Sequence, residues 1–203
     1  MKASIFSWII VAIALVASIV TYPDLPEQMA IYWDMNIEFD GLAHKAFTLL
    51  LLPAFMVILI VILPKKHASQ NQKPNLHTVQ NVVLISLLVL HGVTIASGYG
   101  LIIDITKVII TIIGIIFTVA GLYMPHFQPN SYIGIKTVNT LGSEDVWKKT
   151  HRAASKFYVV GGLLMIVSSF IPNPYQMFIF FGIVVIIVLA SVFLSFHFGK
   201  DNK

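Results

Sequence analysis

Six long apolar runs constrain this sequence more than anything else in it: about Ile5–Thr21, Ala46–Leu63, Val79–Ser97, Val108–Met124, Phe157–Ile171 and Gln176–Phe198. A backbone exposed to lipid must satisfy its own N–H and C=O groups, and only helices and closed barrels do so. The runs are continuously apolar, whereas a barrel strand alternates over about ten residues, so helices are selected. All but the fifth approach or exceed the ~17–25 residues of a spanning helix. The fifth extends backwards through Ala153, Ala154 and Ser155 if Lys156 lays its stem along the helix and lifts its ammonium to the headgroups. Charged residues make up 11% of the chain, far below the ~25% usual in soluble domains. The expected fold class is all-α integral membrane, a six-transmembrane-helix bundle.

Charge orients the bundle. With the N-terminus inside, Lys2, Lys65, Lys66, Lys73, Lys136, Lys148, Lys149, Arg152, Lys156, Lys200 and Lys203 face the cytoplasm, and only Lys45 and Lys107 lie outside. The positive-inside rule therefore places both termini in the cytoplasm. The net charge of +4 follows from this orientation and needs no nucleic-acid partner. Lys2 before an apolar stretch with Ala17 and Ser18 has the outline of a signal peptide. The run is long for one and has no A-x-A site, so an uncleaved first helix is expected. Without cysteine there are no disulfides, thiolate metal sites or cysteine nucleophiles.

The expected organisation is a two-helix region over 1–63 with an acidic external loop, a cytoplasmic linker and third helix over 64–104, and a three-helix region over 105–203 with a polar island at 125–155. The external loop carries Asp24, Glu27, Asp34, Glu38 and Asp40, a surface that steers cationic or amphipathic ligands. A solvated loop that merely avoids positive charge explains the same residues. Tyr22, Tyr32 and Trp33 suit the membrane interface, and Asp40-Gly41 reads as a turn before the second helix.

Inside the runs, Thr111, Gly114, Thr118 and Gly121 recur at helical spacing, a small-residue stripe that lets two helices approach closely. Pro53 and Gly161-Gly162 are candidate kinks. No carboxylate lies deep in any run, which speaks against a proton- or cation-coupled transporter. His91 is the deep ionisable side chain, expected as a neutral histidine hydrogen-bonded across the bundle. HExxH, GxSxG and P-loop patterns are absent from the sequence, excluding those familiar enzyme signatures.

The island stands out against this background. Pro125 and Pro129 stop the fourth helix, and Ile133–Leu141 reads as an extended or turn segment. Ser143 before Glu144 and Asp145 reads as a helix start. Beyond it Trp147, Thr150, Ala154 and Phe157 share one helical face, while Lys148, Lys149, Arg152 and Lys156 crowd the other. That is the pattern of an interfacial helix, with its cations toward anionic membrane lipids or an acidic partner. His126 and His151 lack fixed ligand spacing, so no metal site or other cofactor is expected.

The run Pro129-Asn130, Ile133-Gly134-Ile135-Lys136-Thr137, Thr140-Leu141, Glu144, Trp147 and His151-Arg152 resembles the signature of the SdpI-like immunity proteins. Upstream, Leu25-Pro26, Trp33, Asp40-Gly41, Lys45 and Pro53 are similar to the domain of uncharacterised function that accompanies it. The chain departs from the family pattern at Lys136, where arginine is usual, at Val138-Asn139, where a Pro-Trp pair is, and at Ala30 and Tyr32, where proline and histidine are common. The resemblance implies a non-enzymatic, multi-pass protein of the bacterial cell membrane that protects its own cell from a secreted antimicrobial peptide toxin. In one branch it also implies a receptor that holds a cytoplasmic transcriptional repressor at the membrane. A transporter or exporter of an amphipathic peptide or small molecule is the alternative. An enzyme using Glu144 and His151 is a weaker rival, since nothing in the spacing assembles a nucleophile and a base.

Overall fold

The structure, a computed structural model, describes residues 5–33, 39–62, 73–130 and 133–200. In chain order they form α1 (Ile5–Thr21), strands β1 (Gln28–Trp33) and β2 (Phe39–His44), α2 (Lys45–Ile62), α3 (Lys73–Gly98), α4 (Ile105–Tyr123), α5 (Val138–Gly142), α6 (Glu144–Ser168) and α7 (Tyr175–Lys200). Among the described residues, five segments are long and apolar enough to cross a membrane: Ile5–Asp24, Lys45–Ile62, His77–Gly98, Ile105–His126 and Tyr175–Lys200. The fifth apolar run, Phe157–Ile171, begins in the second half of α6, whose first half carries the island's charges, and ends just beyond it.

Two local expectations are corrected. The segment after α1 contains an antiparallel hairpin, and Asp40-Gly41, read as a turn, lies inside β2 with Gly41 opposite Tyr32. The register shifts at Ala30/Tyr32 and Tyr32/Trp33, so the two-residue alternation that betrays a strand is broken. The segment Ile133–Leu141 is not extended throughout, because Val138–Gly142 closes one short helical turn.

The described residues fall into two compact units, one drawn from 1–66 and 80–109, the other from 67–79 and 110–203. In the first, Ile10, Val11 and Ala14 of α1 meet Met56 and Ile60 of α2 and Leu84 of α3. Polar groups cross-link the same helices. Ser7 Oγ donates to Asn81 Oδ1 at 2.7 Å, and Ser18 Oγ lies 3.1 Å from the Leu49 carbonyl and 2.9 Å from His91 Nε2. Lipid cannot replace such bonds, so they bind helices together where apolar contact alone gives no preference over lipid. Ile9, Ile13, Val16 and Val20 point away from this core and are exposed, as a lipid-facing surface would be.

In the second unit the small-residue stripe does what its spacing suggests. A Cβ built on Gly114 would lie 2.7 Å from the Gly162 carbonyl oxygen, and one on Gly121 would lie 2.9 Å from that of Ser155. Backbone meets backbone along this seam, so α4 seats on α6 only because the side chains are missing. Thr111 Oγ1 donates to Ser169 Oγ at 3.0 Å at one end of it. Beside the seam, Ile110 of α4, Met165 of α6 and Ile187 of α7 form a buried cluster that brings in α7.

Candidate functional site

The island is built outward from two fully buried side chains, Trp147 and His151. Ser143 starts α6 as expected, accepting the Val146 N–H at 3.4 Å, and residues four apart then share one face. The two rings stack with centroids 4.1 Å apart. Trp147 Nε1–H donates to the Phe127 carbonyl at 2.7 Å, tying α6 to the turn after α4. That turn is the 3-10 segment Met124–His126 with Pro125 inside it, which ends α4 where the prolines suggested.

His151 reads two backbone groups at once. Nδ1 lies 2.8 Å from the Trp147 carbonyl, and Nε2 receives the Ile135 N–H at 3.0 Å. A carbonyl only accepts and an amide only donates, so the ring must be neutral with its proton on Nδ1. Burial pushes its pKa below the ordinary value of 6.5, against an opposing pull from the Trp147 carbonyl. Both nitrogens are committed to the backbone, leaving His151 no lone pair or proton for a substrate.

The segment that meets this pair is the family motif. Asn130 Oδ1 accepts the Ile133 N–H at 2.9 Å. Gly134 has φ +122°, and a Cβ there would strike His151 Nε2 and stand 3.1 Å from the Trp147 ring. Only glycine combines that backbone angle with that proximity. Thr140, also buried, donates to the Ile135 carbonyl at 2.8 Å and receives the Thr137 N–H at 2.9 Å. Thr137 in turn accepts the Thr140 N–H at 3.2 Å, a reciprocal cap for α5. Thr137 Oγ1 also bonds Ser195 Oγ of α7, and Asn139 Nδ2 donates to the Ser195 carbonyl at 3.4 Å.

The remaining motif residues face outward. Pro129, Lys136, Glu144 and Arg152 are exposed. Glu144 pairs with Lys148 and Asp145 with Lys149, each at 2.7 Å and one turn apart. Trp147, His151, Gly134 and Thr137 thus hold the island's shape, while Lys136 and Arg152 are exposed at its surface. Sequence reasoning quoted Thr140 in the motif without its role and missed Ser195. The Thr137-x-x-Thr140 spacing is legible as a cap; the Ser195 contact, 58 residues away, is not. Among the described residues no group of three or more His, Asp or Glu side chains could hold a metal ion.

At the hairpin, Glu27 is a structural acceptor. Its carboxylate lies 3.3 Å from Lys45 Nζ and 3.2 Å from His44 Nε2. Lys45 is buried, donates to the Leu25 carbonyl at 3.0 Å and sits 4.6 Å over the Tyr22 ring. Asp24 is exposed. The backbones of Trp33 and Asp40 lie in β1 and β2, and the candidates Asp34 and Glu38 fall outside the described residues. His91 is buried, bonded through Nε2 to Ser18 as a cross-helix link, and its Nδ1 has no partner among the described residues.

Two small cavities lie under the hairpin and meet at Ala30 and Thr94. One, about 180 Å³, is lined by Pro26, Gln28, Met29, Leu42, Ser97 and Gly98 as well. The other, about 160 Å³, continues along Thr48, Leu51, Leu52, Leu90, Ile105 and Ile109. Both are lined mainly by apolar groups, with Gln28 and Ser97 adding polarity to the first, Thr48 to the second and Thr94 to both. Each is smaller than the ~300–1,000 Å³ of sites that enclose a drug-sized ligand and suits inserted side chains better.

The SdpI/YfhL protein family matches residues 126–195, which contain the island from His126 onward, and a domain of unknown function, DUF1648, matches residues 9–57, which contain the hairpin and Lys45. The chain is 32% identical to the immunity protein SdpI of Bacillus subtilis (strain 168) over 202 residues, covering 98% of this chain and 97% of that protein. No solved structure matches it significantly. With its motif residues gathered around Trp147 and His151 and a relative aligned almost end to end, the chain belongs to the SdpI/YfhL family.

Proposed function

We propose that this protein is a multi-pass immunity protein of a bacterial cell membrane that protects the producing cell against a secreted, membrane-active peptide. The observation that carries the reading is near-full-length identity to a protein named for immunity. The cavities under the hairpin support it, because mainly apolar hollows edged by a few polar side chains fit the side chains of an amphipathic peptide at the membrane surface. In this reading the chain crosses the membrane six times, with both termini in the cytoplasm and the hairpin outside, as its basic residues dictate. The island then faces the cytoplasm.

A sensing role follows if toxin binds one helix arrangement better than another, since a ligand shifts an equilibrium only by its differential affinity. A cytoplasmic repressor would then be held through the exposed Lys136 and Arg152. The test is survival of a toxin-sensitive bacterium expressing this protein and challenged with the producing cell's secreted peptides. Wild type protects; Ser97→Trp, which fills the outer cavity, protects less at equal membrane level. Absence of protection against every secreted fraction overturns immunity, and energy-dependent movement of a labelled peptide in proteoliposomes would assign transport instead.

A further inference from the structure

A trough of about 320 Å³ runs between α6 and α7, lined by Lys156, Phe157, Val160, Gly161, Leu164, Ile183, Ile186 and Ile187, and its lining is wholly apolar. From Lys156 to Leu164 it follows α6 for roughly 12 Å at ~1.5 Å per residue, most of one leaflet of a ~30 Å hydrocarbon core. Gly161 sets its floor: a Cβ there would lie 2.6 Å from the end of Ile187. Lys156 closes one end with its aliphatic stem. A lysine on a helix leans toward the helix N-terminus, so its ammonium is directed out of the trough toward Arg152, one turn earlier.

These two cations differ from their neighbours. Lys148 and Lys149 are paired with Glu144 and Asp145. Arg152 and Lys156 are exposed and have no acidic partner among the described residues. The sequence explains why, since no Asp or Glu occurs between Asp145 and Asp201. Two cations with no acidic partner among the described residues therefore crown an apolar trough of acyl-chain proportions, and the ligand that complements both features is an anion attached to a hydrocarbon chain.

We propose that this trough binds an anionic phospholipid, one acyl chain lying along Val160, Gly161 and Leu164 against Ile183 and Ile187, and the phosphate held by Lys156 and Arg152. The site does not depend on the immunity reading, and its test uses no toxin. Full-length protein in detergent is loaded with phosphatidylglycerol or with phosphatidylcholine of the same acyl chains, and bound lipid is counted by native mass spectrometry. Wild type retains phosphatidylglycerol at least fivefold over phosphatidylcholine. Lys156→Gln brings the two to parity, whereas Lys148→Gln, which removes an already paired cation, leaves the preference in place. Val160→Trp, an exposed position that fills the trough, lowers retention of both lipids, and Val185→Trp, on α7 but outside the lining, does not. Parity in wild type, an equal loss of preference in Lys148→Gln, or competition by glycerol phosphate without acyl chains overturns the proposal.

Discussion

His151 accepts an amide at Nε2 and faces a carbonyl at Nδ1, so a second proton would set two donors against each other. Burial already holds its pKa below 6.5. The sign follows: the unfolded chain binds this proton more readily than the folded one, so the neutral ring's contribution is intact above pH 6.5 and is lost as pH falls below it toward the folded value. Thermal unfolding in detergent should show a midpoint that declines below pH 6.5, with less of that decline in His151→Gln. Trp147 makes a complementary case. Trp147→Phe removes the bond to the Phe127 carbonyl and leaves that buried acceptor unpaired, at about 1–3 kcal/mol, while Trp147→Ala adds a cavity and costs about 3–5 kcal/mol. Loss of protection in a Trp147 variant therefore reports folding, whereas loss in Lys136→Ala, at an exposed position and with an unchanged unfolding midpoint, would support the proposed contact with a partner. The sequence placed both residues in one motif and had no way to separate them, because an invisible tertiary fact, burial, is what distinguishes them.

At the scale of elements, the glycines of the helices divide into two kinds. Cβ atoms on Gly114 and Gly162 would press on backbone across the α4–α6 seam, 2.7 Å and 2.5 Å from the partner's carbonyl oxygen, and backbone cannot rotate away. Gly182 of α7 has nothing within 4 Å of its would-be Cβ. Gly162→Ala should therefore destabilise the folded protein by about 1–3 kcal/mol through overpacking, while Gly182→Ala should be neutral or gain up to about 1 kcal/mol from helix propensity. Unfolding midpoints of the two variants in one detergent check the contrast, and equal effects would remove the seam from the argument. The stripe was legible because period and residue size alone define it. The hairpin was not, since its register shifts scramble the alternation around Tyr32. Nor was α5, five residues rich in poor helix formers that exist as a turn because Thr137 and Thr140 cap each other. Gly134 was quoted for its motif, but its need to be glycine appears only when Trp147 and His151 arrive from the next helix.

For the molecule as a whole, the question with the largest consequence is whether α6 crosses the membrane. Its first half carries Glu144, Asp145, Lys148, Lys149, Arg152 and Lys156, which keeps it in water or headgroups. From Ala153 to Ser168 there remain 16 residues, about 24 Å at ~1.5 Å each, short of a ~30 Å core unless lysine stems and local thinning make up the difference. The packing favours crossing: α6 is seamed to α4 and clustered with both α4 and α7, and α4 and α7 are both long enough to span. If α6 spans, Asn173, in the connection to α7, emerges on the same side as Asp24 and opposite Leu141. If it does not, Asn173 stays with Leu141. The protein has no cysteine of its own, so Asp24→Cys, Leu141→Cys and Asn173→Cys, all at exposed positions, each give one clean label. A membrane-impermeant maleimide applied to intact cells should modify the first and third directly and Leu141→Cys only after permeabilisation. Labelling of Asn173→Cys only after permeabilisation would make α6 a cytoplasmic arm lying on the bilayer, reduce the crossings to five and put the two termini on opposite sides.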